Sequence, residues 1–284
     1  MLQSYKPALA LIQQALEEDG AFSDITTLST VPAENWSRGR ILARKPGVIA
    51  GLAIAADAFR FFDERVRVEL LVQDGAVVQA NEDLILLEGP ARSLLSVERT
   101  ALNFIGRLSG IATLTAHCVQ AIEGTHARII DTRKTTPGLR LLEKEAVRLG
   151  GGQNHRFGLN DGVLIKDNHI KAAGGITQAV AATRRMVPHL LKIEVECETH
   201  DEVRQALAAG AEVLLLDNMD VEMMRQAVAM IRQEAPQVLI EASGDIGTNT
   251  ERLQLVAQTG VDFISLGALT HSAPNFNISL EFNS

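Results

Sequence analysis

The chain has 284 residues, 46% apolar and 22% charged, with a formal net charge of −8 at pH 7, a length that allows one barrel-sized domain or two smaller ones. An acidic balance with a single tryptophan and a single tyrosine argues against nucleic-acid binding, whether by backbone neutralisation or by base stacking. No apolar run is long enough to span a membrane, the N-terminal segment lacks the pattern of a secretory signal, and Cys118 and Cys197 belong to no CxxC motif, so the expected setting is cytoplasmic, with two reduced thiols.

In chain order, Pro7 to Glu18 reads as a helix with the proline in its first turn and Leu9, Ile12 and Leu16 along one face. Strand-like pieces follow in GRILARKPGVIAGL, RVRVELLVQDGAVV and DLILLEGP, with Asp74-Gly75 and Glu88-Gly89-Pro90 as turn signals. These segments predict a small α+β domain over 1–105. Leu94 to Ala121 is long and helical in pattern and joins that domain to the remainder.

A regular beat then begins. Short β-branched runs ending in polar residues recur as ARIIDT, VLIKDN, KIEVEC, EVLLLDN, QVLIEAS and DFISLG, most of them followed by a helical stripe. Alternating strand and helix is the signature of a parallel sheet. Strands this apolar need cover on both faces, which fits a barrel or a doubly wound sheet; the barrel is preferred, over 106–271. In barrels the chemistry sits where strands end and loops begin. Alternation along a strand puts Glu194 with Glu196, and Glu241 with Ser243, on common faces, and acids facing a barrel interior need cationic or metal partners.

The strand ends gather cations. Thr132, Arg133, Lys134, Thr135 and Thr136 lead into Pro137-Gly138, and such a loop can supply several charge-assisted hydrogen bonds to phosphate or carboxylate, unless it is merely a solvated loop. His155 and Arg156 follow the triple glycine Gly150–Gly152, which also reads as a helix end after Leu142, Ala146 and Leu149. Arg140, Lys166 and His169 complete this cationic stretch. Ser243-Gly244, Asp245-Ile246-Gly247 and Gly267 fit a second anion site on the late strands, where barrels often hold phosphate. Glu196 and Asp217 end neighbouring strands, where they can accept hydrogen bonds from ribose hydroxyls, hold Mg²⁺, or form salt bridges with Lys166 or Arg133.

The motifs SVERTALNFIGRLSGIAT, DTRKTTPGLR, AVRLGGGQNHR, LIKDNHI, EASGDI and SLGALTHS, with DITT near the N-terminus, resemble the quinolinate phosphoribosyltransferase family over nearly the whole chain. The resemblance implies an open α/β barrel of the type II phosphoribosyltransferase class with an N-terminal α/β sandwich domain, to which 272–284 returns. It implies transfer of phosphoribosyl from phosphoribosyl pyrophosphate to quinolinate with loss of CO₂ and pyrophosphate, in NAD biosynthesis, with Mg²⁺. By the same resemblance Arg133, His155 and Arg156 hold the quinolinate carboxylates, joined by Arg99 from a neighbouring subunit of a homodimer, with a hexamer also open. Lys134 and Lys166 lie near pyrophosphate and the reacting centre, Glu196 and Asp217 at ribose and metal, and Ser243, Gly244 and Gly267 at the 5′-phosphate, with Thr132 and His271 beside them. Glu145 and Gly106 depart from residue types common in the family.

Three alternatives define what must be distinguished. A molybdenum-transport-associated relative shares TRKT and GGG-like segments, but LIKDNHI fits the quinolinate enzymes better. A Schiff-base aldolase would use Lys166 as nucleophile. A non-catalytic sugar-phosphate binder would lack Lys134, Glu196 or Asp217, and all three are present.

Overall fold

The computed structural model describes residues 6–282. The chain divides into two compact units, one of 1–114, 137–150 and 273–284, the other of 115–136 and 151–272.

The first unit opens on α1 (Lys6–Glu18), in which Ile12 and Leu16 are buried and Leu9, expected on the same face, is 41% exposed. The buried stripe therefore starts one turn later than its spacing predicts. Next come α2 (Ile25–Thr30), β1 (Trp36–Ala43), β2 (Gly47–Val48), α3 (Leu52–Phe62), β3 (Arg67–Leu70), β4 (Val77–Val78), β5 (Asp83–Pro90) and α4 (Ala91–Ala121). Asp24 caps α2 by accepting the Thr27 N–H at 3.0 Å, and the Asp74 carboxylate accepts the Leu52 N–H at 2.9 Å at the start of α3. Asp74-Gly75 is a turn as expected, with Gly75 at φ +92°. Glu88-Gly89-Pro90 is not. Those residues continue β5 in antiparallel pairing with β1, Trp36 opposite Pro90 and Arg38 opposite Glu88. The glycine serves close packing instead, because a Cβ at Gly89 would lie 3.0 Å from Val66 Cγ2, and the proline ends the strand, where a missing N–H is tolerated.

The chain continues through β6 (Arg128–Ile130), α5 (Arg140–Leu149), β7 (Val163–Ile165), α6 (Asp167–Ala173), α7 (Ile176–Met186), β8 (Ile193–Cys197), α8 (His200–Ala208), β9 (Val213–Asp217), α9 (Val221–Glu234), β10 (Leu239–Ser243), α10 (Thr250–Ala257), β11 (Phe263–Ser265) and α11 (Ala268–His271). Six strands form one parallel sheet in the order β6-β11-β10-β9-β8-β7. Pairing does not close between β6 and β7 among the described residues, so the α/β barrel is open. Helix starts follow their side chains: Thr199 and Glu202 form a capping box at α8, Asp220 caps α9 and Asn249 caps α10. The stripes Val203 and Ala206, Met224, Ala227, Val228 and Ile231, and Leu253, Val256 and Ala257 are all buried. Residues 137–150, which carry α5, fall with the first unit. There Glu143 is fully buried and its Oε1 accepts from Arg107 Nη2 at 2.8 Å.

The last strand, β12 (Ile278–Phe282), pairs antiparallel with β1 and completes the sheet order β12-β1-β5-β3, while 283–284 lie outside the described residues. Two glycines of α4 admit the segment before β12. The Gly106 carbonyl accepts the Phe276 N–H at 2.8 Å, and a Cβ at Gly110 would lie 2.1 Å from the Pro274 carbonyl oxygen. Gly106 thus stands where a larger residue would crowd the returning chain. Cys118 and Cys197 are buried and unpaired, their thiols pushed up to about 12 by desolvation. Among the described residues no helix is long and apolar enough to cross a membrane.

Gly110→Ala gains about 1 kcal/mol in helix propensity but forces backbone against backbone, so a net loss of about 1–3 kcal/mol is expected. Urea denaturation reads this as a lower midpoint, and a raised midpoint would contradict the close approach.

Candidate active site

The carboxyl ends of the parallel strands surround a cavity of about 670 Å³ whose lining comes from the second unit alone. That volume suits a small-molecule site. One side is acidic. Glu196, near the end of β8, is 8% exposed, and its Oε2 accepts from Lys166 Nζ at 2.7 Å while Oε1 faces the Asp167 N–H at 3.4 Å. Asp217 ends β9; burial raises its pKa, and the neighbouring charge of Glu196 raises it further. Of the alternatives that the sequence left open for Glu196, a salt bridge to Lys166 is formed, and Lys166 remains about half exposed to the cavity.

The same cavity also gathers cations. Gln153 extends the sheet beside β6, its N–H donating to the Ile129 carbonyl at 2.9 Å. Asp131, fully buried, then pins the following turn by accepting the His155 N–H at 2.8 Å and Asn154 Nδ2 at 2.6 Å. This places His155 and Arg156 in the cavity wall with Arg133 and Lys134. Arg156 donates from Nη1 to the Gly162 carbonyl at 2.8 Å; burial lowers its pKa, and the adjacent charge of Arg133 lowers it too. Two guanidinium groups lining one cavity under partial desolvation form a strong attractor for a carboxylate or phosphate. Thr132 shapes the loop by accepting the Lys134 N–H at 3.0 Å, and Thr270 Oγ1 donates to the Lys134 carbonyl at 2.7 Å.

At the floor, His155 Nε2 lies 3.3 Å from Glu194 Oε2 and 3.6 Å from Glu241 Oε2. These three residues offer a candidate cation set among the described residues, but His155 Nδ1 accepts the Arg156 N–H at 2.7 Å. The remaining nitrogen therefore carries the hydrogen and points it at the carboxylates, which leaves no imidazole lone pair for a metal. Burial, and then the charge of Glu194, holds the Glu241 carboxyl well above the usual carboxylate range. The facing of Glu194 and Glu241 into the barrel follows the alternation expected from the sequence.

The third wall is a loop surface. Ser243, Gly244, Asp245 and Gly247 line it after β10, and Gly267, Ala268 and His271 line it after β11. A Cβ at Gly267 would sit 3.0 Å from Lys134 Cδ and 3.1 Å from His271 Nε2, so the glycine leaves room for both side chains.

Arg133, Lys134, His155, Arg156 and Lys166 thus meet at one cavity, while Arg140 lies on α5 in the first unit and His169 instead accepts the Lys166 N–H at 2.9 Å. Arg99 is an exposed residue of α4 in the first unit. Leu164, Leu215 and Leu266, which supply the apolar lining, were not distinguishable in the sequence from core positions of the same strands. Asn218 also lines the cavity, and only its place after a strand marked it.

Comparison with known proteins identifies the family. Residues 24–109 match the family model described as quinolinate phosphoribosyl transferase, N-terminal domain, and residues 111–281 match that of the C-terminal domain. A Mycobacterium leprae protein named nicotinate-nucleotide pyrophosphorylase (carboxylating) is 45% identical over 273 residues, covering 95% of this chain and 95% of the relative. The structure of the nicotinate-nucleotide pyrophosphorylase from Francisella tularensis superposes with a TM-score of 0.92 at 38% identity, covering 98% of this chain and 96% of that one. That from Ehrlichia chaffeensis gives 0.92 at 37% identity, covering 100% of both chains.

The floor generates a pH prediction. A carboxyl whose folded pKa is raised supports folding at low pH, and that support is lost as pH rises through the folded value. Glu241→Gln, which mimics the protonated acid, should match the wild type in stability near pH 4 and gain on it as pH rises above the ordinary carboxylate range, measured as urea midpoints. A difference that does not change with pH would contradict the raised Glu241 pKa.

Proposed function

The chain belongs to the quinolinate phosphoribosyltransferase family, and from that premise we propose that it transfers phosphoribosyl from phosphoribosyl pyrophosphate to quinolinate, with decarboxylation, giving nicotinate mononucleotide, pyrophosphate and CO₂ in NAD biosynthesis. The observation that carries this reading is the division of one cavity into an acid–lysine side, an arginine side and a glycine-loop side. A dicarboxylate and a sugar bearing phosphates at both ends need those three surfaces together.

Arg133 and Arg156 hold the quinolinate carboxylates, with His155 between them and Arg99 contributed by the second subunit of a homodimer. Lys134 and Lys166 face the pyrophosphate. Glu196 and Asp217 take the ribose hydroxyls, and Ser243, Gly244 and Gly267 take the 5′-phosphate, near His271. Glu196 and Asp217 are also the carboxylates that would hold Mg²⁺: both are hard oxygen donors, and their mutual repulsion at Asp217 fits a cation. When bound with pyrophosphate, Mg²⁺ supplies charge neutralisation for the leaving group. Buried thiols fit a cytoplasmic setting.

The quinolinate nitrogen attacks C1 of ribose as the bond from C1 to pyrophosphate oxygen breaks, through an oxocarbenium-like transition state. The protein's work is alignment and electrostatic stabilisation, with little covalent chemistry. The ring nitrogen is then cationic. The bond from ring C2 to its carboxylate breaks, CO₂ departs, and the electron pair left at C2 takes a proton; Lys134 or Lys166 donates it.

Incubation of the protein with quinolinate, phosphoribosyl pyrophosphate and Mg²⁺ should release CO₂ and pyrophosphate in equal amounts, and release of neither would overturn the reading. Arg99→Ala should lose quinolinate binding, with activity restored in mixed dimers by a partner subunit disabled at Lys166. Failure of such rescue would place the whole site within one chain.

A further inference from the structure

Asn218 is the residue immediately after β9, and its backbone is left-handed, with φ 55°; Asn81 is the other non-glycine residue with positive φ among the described residues. Side chains other than asparagine, aspartate and glycine rarely adopt that conformation, and where they do the surroundings usually enforce it. Asparagine is one of the few that adopt it readily, and three contacts hold it at position 218. The Asn218 Nδ2 donates to Asp217 Oδ2 at 2.7 Å. Its backbone N–H donates to the Ser243 carbonyl at 3.3 Å. Gly244, itself at φ +105°, approaches so closely that a Cβ there would lie 2.4 Å from Asn218 Oδ1 and 2.7 Å from Asn218 N.

These contacts join two parts of the cavity that come from different strands. Asp217 and Ser243 are register partners at the ends of β9 and β10, but register alone fixes neither the carboxylate's rotamer nor the course of the loop after Ser243. The left-handed turn folds the Asn218 amide back onto the acid that precedes it. One Asp217 oxygen is thereby occupied by an internal donor. At the same residue, the main chain anchors the glycine loop.

We propose that Asn218 is a positioning residue that fixes the Asp217 carboxylate and the Ser243-Gly244 loop in one geometry, matched to the span between the ribose hydroxyls and the 5′-phosphate of the phosphoribosyl donor. The inference rests on the functional reading of Asp217 and Ser243-Gly244 given above. It assigns Asn218 to recognition of the donor and not of the dicarboxylate acceptor, whose guanidinium side is built from residues after β6 and from the segment pinned beside it.

Glycine and aspartate separate this role from a purely conformational one, because both tolerate the left-handed backbone. Asn218→Gly keeps the turn and deletes the amide. Asn218→Asp keeps the turn and replaces the donor with a second acid against Asp217. Steady-state kinetics of the full-length protein should show the KM for phosphoribosyl pyrophosphate raised about tenfold in Asn218→Gly, the size of one lost hydrogen bond to a charged group, and raised further in Asn218→Asp. The KM for quinolinate should stay within about twofold in both. KM does not depend on the folded fraction, so the split is readable even in a destabilised preparation. Wild-type KM for the donor in Asn218→Gly, or equal rises for both substrates, would overturn the inference while wild-type turnover leaves the functional reading standing. Absence of turnover in the wild type itself would overturn both.

Discussion

Parallel strands that end side by side bring their terminal side chains together, and in this protein several of those side chains are acids. Glu194, Glu196 and Glu241 are each less than a tenth exposed, and Asp217 is partly desolvated beside Glu196. Burying such charges is costly unless each is paired, hydrogen-bonded or neutralised. Each of those remedies is used. Lys166 pairs with Glu196, the His155 Nε2–H faces Glu194, burial pushes Glu241 toward its neutral form, and Asn218 donates to Asp217. The positions of the loop residues around the mouth follow from meeting that requirement.

The same requirement prepares the site for its substrates. A lysine held against a carboxylate is oriented before ligand arrives, and two guanidinium groups whose charges oppose each other gain when an anion binds. Preorganised charge of this kind stabilises a transition state without paying for reorientation at the moment of reaction. On the function proposed above, the leaving pyrophosphate and the dicarboxylate are both anionic, so each needs cations, with acids only where ribose and Mg²⁺ would be held. Rigid strand ends set the separations, and the loops supply the donors.

Much of this was legible in the sequence because strand ends advertise themselves. Runs such as KIEVEC and EVLLLDN fix a two-residue period, and that period places Glu194 with Glu196 and exposes Asp217 at a terminus. The triple glycine and its following His155-Arg156 were visible as a cationic turn. Their attachment to β6 was not, since it depends on buried Asp131 accepting hydrogen bonds from residues more than twenty positions away. Glu88-Gly89-Pro90 misled because glycine and proline mark turns locally, whereas here the neighbour Val66 demands the missing side chain. Segment 137–150 read as barrel because it lies between two barrel strands in the chain, and proximity in sequence says nothing about which core α5 joins. The left-handed backbone of Asn218 leaves no periodic trace at all.

The central proposal is that the cavity separates acceptor from donor by the kind of cation, guanidinium groups for the dicarboxylate and lysines for the pyrophosphate. Titration calorimetry with phthalate, a dicarboxylate that lacks the ring nitrogen and cannot react, and with inorganic pyrophosphate and Mg²⁺ tests it directly in two variants. Arg156→Ala should lose phthalate affinity at least about tenfold and retain pyrophosphate, and Lys134→Ala should do the reverse. Equal loss of both ligands in both variants would contradict the division and leave the cationic stretch as a single undifferentiated anion site.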